Sequence, residues 1–348
     1  MLSFFKKWGM LPLIALVLIT TTAACGWVAQ SDQGGVQASE NGNQVGSESQ
    51  QSGGEGQDSA DASSPATAAE NSPGTTTFPI TIQHAKGETV LKQKPKKVVV
   101  TYFPYADHLF AIGEQDVVSG VVGLKSLQNF PVYDAFTKQG NIADLGDSAN
   151  LEKILELDPD VIIAWEEDEK IYDQLSKIAD TIMIPQSENW QDTITKVAAV
   201  IGEQEKADLY IADYNKKLDA LAAQMTQTGV QGKTAIFMMT WGKGFNYYGG
   251  VRMEPYYERL GFAKFPGMKD WGEISLEGVA DIDPDYIFLG EDFTNSAEVR
   301  LEELDKNEVW NNLEAVKNGH LFVIDTEIVG PLAMGQAKDL EVIKQIMQ

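Results

Sequence analysis

Asn150-Leu151-Glu152-Lys153-Ile154-Leu155-Glu156-Leu157-Asp158-Pro159-Asp160-Val161-Ile162-Ile163 returns later as Ser275-Leu276-Glu277-Gly278-Val279-Ala280-Asp281-Ile282-Asp283-Pro284-Asp285-Tyr286-Ile287-Phe288. Leu, Glu, Asp-Pro-Asp and Ile stand in the same register in both copies, and the apolar positions between them match. Each copy reads as a short helix, a proline-set turn and a buried strand. Asn150 and Ser275 are N-cap types whose side-chain oxygens can accept from free backbone N–H groups. Pro159 and Pro284 stop the helix and bias the preceding residue toward extended geometry. Val161-Ile162-Ile163 and Tyr286-Ile287-Phe288 are short apolar runs suited to a parallel sheet covered on both faces. One unit used twice implies two lobes built on one plan.

Working outward, the chain of 348 residues is long enough for two sizeable cores. Residues 1–24 read as a signal peptide: Lys6 and Lys7 precede an apolar Met10–Ile19 segment too short for a comfortable span. Thr22-Ala23-Ala24-Cys25 resembles a bacterial lipobox, with Thr22 where Leu is usual, so Cys25 is the expected lipidation site. It is the only cysteine, so the lobes must stand without an internal disulfide. Residues 25–77 are rich in Gln, Ser, Gly and Asn without Lys or Arg, the composition of a disordered, lipid-anchored linker. Of the formal charge of −24, the signal carries +2 and the linker −7, leaving −19 for residues 78–348. Such a field argues against nucleic acid and against adsorption to anionic lipid.

In the folded part, Phe78–Leu91 reads as an entry hairpin around His84-Ala85-Lys86-Gly87. Strands are expected at 97–102, 117–122 and 181–184, with helices at 104–112 and 166–180. From Asp192 to Gln227 the strand signal vanishes. Ala207, Ile211, Tyr214, Leu218, Leu221 and Met225 form a helical stripe over Gln204–Met225, about 33 Å long if fully helical, which fits a rigid strut between lobes. Alternation then resumes, with strands at 234–239, 245–248 and 320–324. Helices are expected at 253–260, 295–304, 308–316 and 336–347. The expected fold is α/β: two Rossmann-like lobes with parallel-rich sheets, residues 78–202 and 229–348, joined by one long α-helix over 203–228.

With these residues in hand, the chain resembles the siderophore-type substrate-binding lipoproteins of bacterial ABC importers, the group that binds iron(III)-siderophores such as ferrichrome, or vitamin B12. The resemblance covers residues 78–348. It rests on the strand and Asp-bearing helix of 98–112, Gly146-Asp147 before the first phrase, the long central helix, and the second Glu phrase. It implies a class III periplasmic-binding-protein-like fold, with no catalysis and no resident cofactor. The cargo would be a prechelated ferric siderophore handed to a permease with a cytoplasmic ATPase. The protein would be a monomer, lipid-anchored on the extracytoplasmic face of the cell membrane. Glu152 and Glu277 match the two permease-docking glutamates of the family. A carboxylate in a first helical turn is also favoured by the helix dipole alone.

Ligand contacts are expected from loops at strand C-terminal ends: Tyr102, Tyr105, Lys125 and Trp165 from one lobe, Trp241, Tyr247 and Arg252 from the other. Loops Glu291-Asp292 and Gly330-Pro331-Leu332 join them. Aromatic faces suit a bulky, partly apolar ligand, and Arg or Lys can donate to oxygens around a chelated ferric ion. His84, His108 and His320 are scattered, so no His-rich metal site is expected. The negative field favours a hydroxamate siderophore over a triply anionic catecholate. Cobalamin or haem on the same scaffold is the alternative. A hydrolase using Glu152 and Glu277 as a carboxylate pair is the reading from another class.

Overall fold

A computed structural model describes residues 76–290 and 301–347. Signal, most of the linker, Cys25 and the Glu291-Asp292 loop lie outside them. Both lobes belong to one unit spanning 69–348. The chain enters through the hairpin β1 (Ile80–His84) and β2 (Gly87–Leu91). The first lobe contains β3 (Val98–Val100), β4 (Val118–Val121), β5 (Ala143–Asp144), β6 (Val161–Ala164) and β7 (Asp180–Met183). They line up β5-β4-β3-β6-β7, and every pair is parallel. The second lobe contains β8 (Ala235–Trp241), β9 (Gly244–Tyr248), β10 (Trp271–Ile274), β11 (Tyr286–Gly290) and β12 (Leu321–Ile324), ordered β10-β9-β8-β11-β12.

Both sheets thus share one spatial order, with the first strand of the lobe in the centre. They differ in one half. β8 pairs in parallel with β11 and β11 with β12, whereas β8, β9 and β10 run antiparallel. A four-residue Trp241–Gly244 turn replaces the crossover helix there. The α/β two-lobe expectation holds, and β5 and β10 are strands that the sequence reading did not find.

The helices that position the site are α1 (Phe103–Ala111), α2 (Leu151–Leu157), α3 (Trp190–Val200), α4 (Gln204–Met225), α5 (Leu276–Ile282) and α6 (Ala333–Ile346). Helix α4 is the strut, and it buries Ala207, Tyr214, Leu218, Leu221 and Met225, one continuous stripe. A single apolar core runs from Val98 and Leu109 through Leu218 to Phe237, Phe288 and Leu340. The lobes therefore share packing, and α4 is not a free tether. Helix α6, read from sequence with the second lobe, packs against α1, α3 and α4. Its N-terminus is capped from the other lobe: the buried Asp107 carboxylate of α1 accepts from Ala333 N–H at 2.6 Å and Met334 N–H at 3.1 Å. Tyr133 Oη donates to the same group at 2.7 Å.

The repeated phrase is the same object in both lobes. Asn150 Oδ1 accepts from Glu152 and Lys153 N–H, and Ser275 Oγ from Gly278 N–H. Each helix runs seven residues and ends on the first Asp of Asp-Pro-Asp. Asp158 and Asp283 are left-handed, at φ 48° and 42°. This corrects the expectation of an extended residue before proline. The proline disfavours the right-handed helical region, and the left-handed cap lets the chain reverse; Asp tolerates it better than most side chains.

The second Asp is a latch. Asp160 Oδ2 accepts from Lys96 and Lys97 N–H at 2.7 and 3.0 Å, at the entrance to β3. Asp285 accepts from Thr234 N–H at 2.9 Å and Lys233 Nζ at 2.8 Å, at the entrance to β8. Each phrase ties its own strand to the central strand of its lobe.

Three helix expectations change. Residues 166–180 are a 3₁₀ turn (Glu166–Ile171) and one α turn (Tyr172–Leu175), because Asp168 turns inward toward Thr101. Residues 253–260 are a π turn (Pro255–Arg259) after a 3₁₀ turn, where Leu260 N–H reaches Pro255 O. Residues 308–316 are two short helices, Glu308–Asn311 and Glu314–Lys317, broken at Leu313, whose extended backbone caps the second.

Candidate functional site

At the C-terminal edge of the first sheet lies a recess of about 350 Å³. Thr101, Tyr102 and Phe103 follow β3, Val122 and Gly123 follow β4, and Trp165 follows β6. Gly123 is left-handed (φ +76°), and a Cβ there would meet the Phe103 ring at 3.2 Å. Tyr102 and Trp165 stack with centroids 4.5 Å apart and planes 4° apart, making one flat wall. Burial pushes the Tyr102 phenol up to about 12, with Arg252 opposing, so it stays a neutral hydrogen-bonding group. Beneath the wall, Trp165 N–H donates to Thr101 Oγ1 at 3.2 Å, and the Thr101 hydroxyl and the Trp165 N–H both stand against the Asp168 carboxyl. Burial raises the Asp168 pKa.

A second cavity, about 170 Å³, lies between the lobes. Phe103 and Phe130 face Met239, Tyr248, Arg252 and Leu332 across it. The Arg252 guanidinium is paired with the Glu188 carboxylate through both Nε and Nη2, and lies 5.5 Å from the Tyr248 ring centroid. Glu327 sits behind this cavity, almost fully buried, and Lys338 Nζ lies 2.6 Å from it. Burial raises its carboxyl, with the Lys338 contact opposing. Among the described residues, Arg252 is the sole basic side chain on the walls of these two cavities.

Of the ligand candidates, Tyr102 and Trp165 come together on the recess wall, and Arg252 lines the inter-lobe cavity. Tyr105 does not reach the cleft. It is fully buried, with Oη donating to Ile184 O at 2.6 Å, a core tyrosine of α1. Tyr247 is likewise core, 7% exposed and edge-on to Phe265. Its neighbour Tyr248 takes the cleft position, because successive residues of a strand face opposite sides. Lys125 is exposed on the Leu124–Gln128 helix and lies on neither cavity wall, and Trp241, at the hairpin end of β8, is 40% exposed and off both walls.

Asp168, on the recess wall, and Glu188, the partner of Arg252, were missed. Pleat alternation separates Tyr247 from Tyr248 but does not say which face is the cleft. The inward turn of Asp168 depends on Thr101, 67 positions earlier.

Glu152 and Glu277 are exposed, each in the first turn of its phrase helix. Glu277 also lines a separate surface hollow with Lys243, Phe245 and Leu304. Bonds from its own backbone N–H and from Ser275 hold its carboxyl below the usual range. Among the described residues no cavity is lined by both glutamates. Among the described residues, too, no three His, Cys, Asp or Glu side chains converge as a metal site, and no helix is long and apolar enough to cross a membrane.

Comparison with known proteins places this architecture. The chain is 28% identical to the iron(3+)-hydroxamate-binding protein YxeB of Bacillus subtilis, over 77% of this chain and 84% of that protein. It is also 28% identical to the iron(3+)-hydroxamate-binding protein FhuD of Bacillus subtilis, over 74% and 82%. The crystal structure of the petrobactin-binding protein YclQ of Bacillus subtilis superposes with a TM-score of 0.65 at 22% identity, covering 78% of this chain and 99% of that one. The family model for periplasmic binding proteins matches residues 98–328, every strand of both sheets included. With its two like-ordered sheets, its strut and a cleft between them, the chain belongs to the periplasmic binding protein family.

Proposed function

We propose that this protein captures a ferric siderophore of hydroxamate type between its two lobes and delivers it to an ABC permease. The observation that carries the cargo class is the charge of the cleft. Arg252, the one base on the described walls, is already paired with Glu188, while Asp147, Glu167 and Asp168 border the first-lobe recess. A triply anionic ferric catecholate would meet no unbalanced positive charge there, whereas a ferric trihydroxamate, neutral at its core, would not be repelled. The iron arrives already chelated in this reading, since a Tyr102 phenol held near 12 is a poor source of phenolate. The hydroxamate names of YxeB and FhuD agree with it.

Delivery rests on Glu152 and Glu277 as paired docking points, each offering a carboxylate to a permease arginine. Cys25 carries the lipid that keeps the protein on the extracytoplasmic face of the membrane, and residues 26–77 act as its tether. Titration of intrinsic tryptophan fluorescence with ferric trihydroxamate, ferric tris-catecholate, haem and cobalamin tests the cargo. Saturable quenching is expected to be tightest with the trihydroxamate, because Trp165 lines the recess. Tighter binding of the tris-catecholate, or of haem or cobalamin, would overturn the reading.

A further inference from the structure

Asp339 stands in the joint where the last helix meets the strut and the second lobe. It is fully buried on α6, and neither carboxyl oxygen closes a well-formed hydrogen bond. Two buried phenols face it, Tyr214 from the strut α4 and Tyr256 from the π turn at 255–259. The Tyr256 hydroxyl stands against the carboxyl, its one donor among the described residues. Each ring is fixed from elsewhere: Tyr214 lies edge-on to Trp190 of α3, centroids 4.9 Å apart, and Tyr256 lies 4.5 Å from Phe237 of β8. The charged groups around the joint are committed to other partners. Lys338, next on α6, gives its Nζ to Asp325 and Glu327, and Arg259 pairs with Asp219 of the strut. Glu327 adds a second buried acid from the 3₁₀ turn Thr326–Val329. On α1, Asp107 caps α6 and His108 lies 3.2 Å from that same carboxylate, while α3 buries no charged side chain. A carboxyl so enclosed, with one phenol and no base, favours its neutral form. Burial raises it from 3.8 to about 7, with the Tyr256 bond opposing and Glu327 adding to the rise.

We propose that Asp339 and Tyr256 form a proton-operated catch on the π turn. With the proton on, the joint carries no charge of its own, and α6, the strut and the π turn pack as one body. When the proton leaves, a carboxylate is stranded in an apolar joint, and its relief is for an element to part and admit water. The π turn is the element that yields, five residues long against twenty-two for α4 and fourteen for α6. Arg252 lies in the 3₁₀ turn Val251–Met253 that leads into it, so the catch reaches the inter-lobe cavity through the backbone.

Hydrogen exchange on the full chain tests it without any ligand. The Leu260 N–H donates to Pro255 O at 2.9 Å, closes the π turn and serves as the reporter. Its protection, measured relative to intrinsic exchange at each pH, is expected to fall about tenfold to thirtyfold between about pH 5.5 and about pH 8.5. Linkage gives that range for an acid moving from about 7 in the closed joint to 3.8 in water. Unchanged protection across the range overturns the catch, and this arm needs no variant to fold. Asp339→Asn, neutral throughout, is expected to hold the protection constant within about twofold. Tyr256→Phe removes the donor to the ionised form and is expected to move the midpoint of the fall to higher pH. A fall that survives in Asp339→Asn overturns the catch, as does a midpoint that stays or moves down in Tyr256→Phe.

Discussion

Replacing Asp285 with Ala separates the two acids of the repeated phrase by what each one does. Asp285 accepts from Thr234 N–H at 2.9 Å and from Lys233 Nζ at 2.8 Å, so the substitution unties β11 from the entrance of β8. A hydrogen bond to a charged group contributes about 1.5–3 kcal/mol where it is dry. The Asp285 side chain is 37% exposed, so solvent discounts this to about 1–2 kcal/mol, nearly all from the Thr234 bond. For a folded region of this size that is a fall in Tm of about 2–8 °C. The partners hold the Asp285 carboxyl below its ordinary 3.8 despite partial desolvation. The stabilisation is therefore present in full above about pH 3.8 and is lost as pH falls through the lower native value. Thermal melts of the wild type and the variant should differ at pH 6 and converge at strongly acid pH. Glu277→Ala, eight residues earlier in the exposed first turn of the helix, should lower Tm less than Asp285→Ala at pH 6, since it removes only a solvent-exposed cap interaction. At strongly acid pH it should not lower Tm at all. Equal melting of Asp285→Ala and wild type at pH 6 would refute the latch, as would a larger loss from Glu277→Ala.

Three further outcomes are expected. Glu152→Ala combined with Glu277→Ala should leave ligand affinity within about twofold and abolish uptake in cells; equal loss of both would show that these residues support the pocket instead. Asp107→Ala strands the N–H groups of Ala333 and Met334 and the Tyr133 hydroxyl in the interior, and should cost about 3–5 kcal/mol in denaturant unfolding. Burial holds the His84 pKa below its ordinary 6.5, and Nδ1 lies 3.2 Å from Met183 N–H, which it accepts when neutral. The hairpin's attachment is complete above pH 6.5 and weakens as pH falls toward the lower native value. The protection of the Ala85 N–H, which donates to Met183 O, against hydrogen exchange should fall there, measured relative to intrinsic exchange at the same pH.

The strongly periodic parts of the fold were legible. Apolar runs such as Val98-Val99-Val100 leave no choice but a two-sided sheet, and the α4 stripe announces its helix from Gln204 to Met225. The repeated phrase revealed two like lobes before any topology was known. What escaped was decided at a distance. β5 has two residues and β10 reads Trp-Gly-Glu-Ile; neither carries a pattern apart from its partner strand. The turn at 166–171 has helical composition, yet Thr101 and a buried Asp168 wind it differently.

The site followed the same division. Aromatics at strand ends were visible, so Tyr102 and Trp165 could be named. Tyr105 and Tyr247 failed because one helical position or one pleat turns a ring from cleft to core. Nor does any local signal tie Arg252 to Glu188, 64 residues away.

The Asp107 cap on α6 joins groups 226 residues apart in sequence. Until that last helix docks, the first lobe holds a carboxylate in its interior with most of its donors missing, so its own core cannot settle early. Closing so long a loop carries an entropic cost that must be met before the contact returns anything. Folding should therefore finish late and all at once, with 333–346 as the closing piece. The two lobes look like separate domains in their sheets, but in the order of assembly they are one.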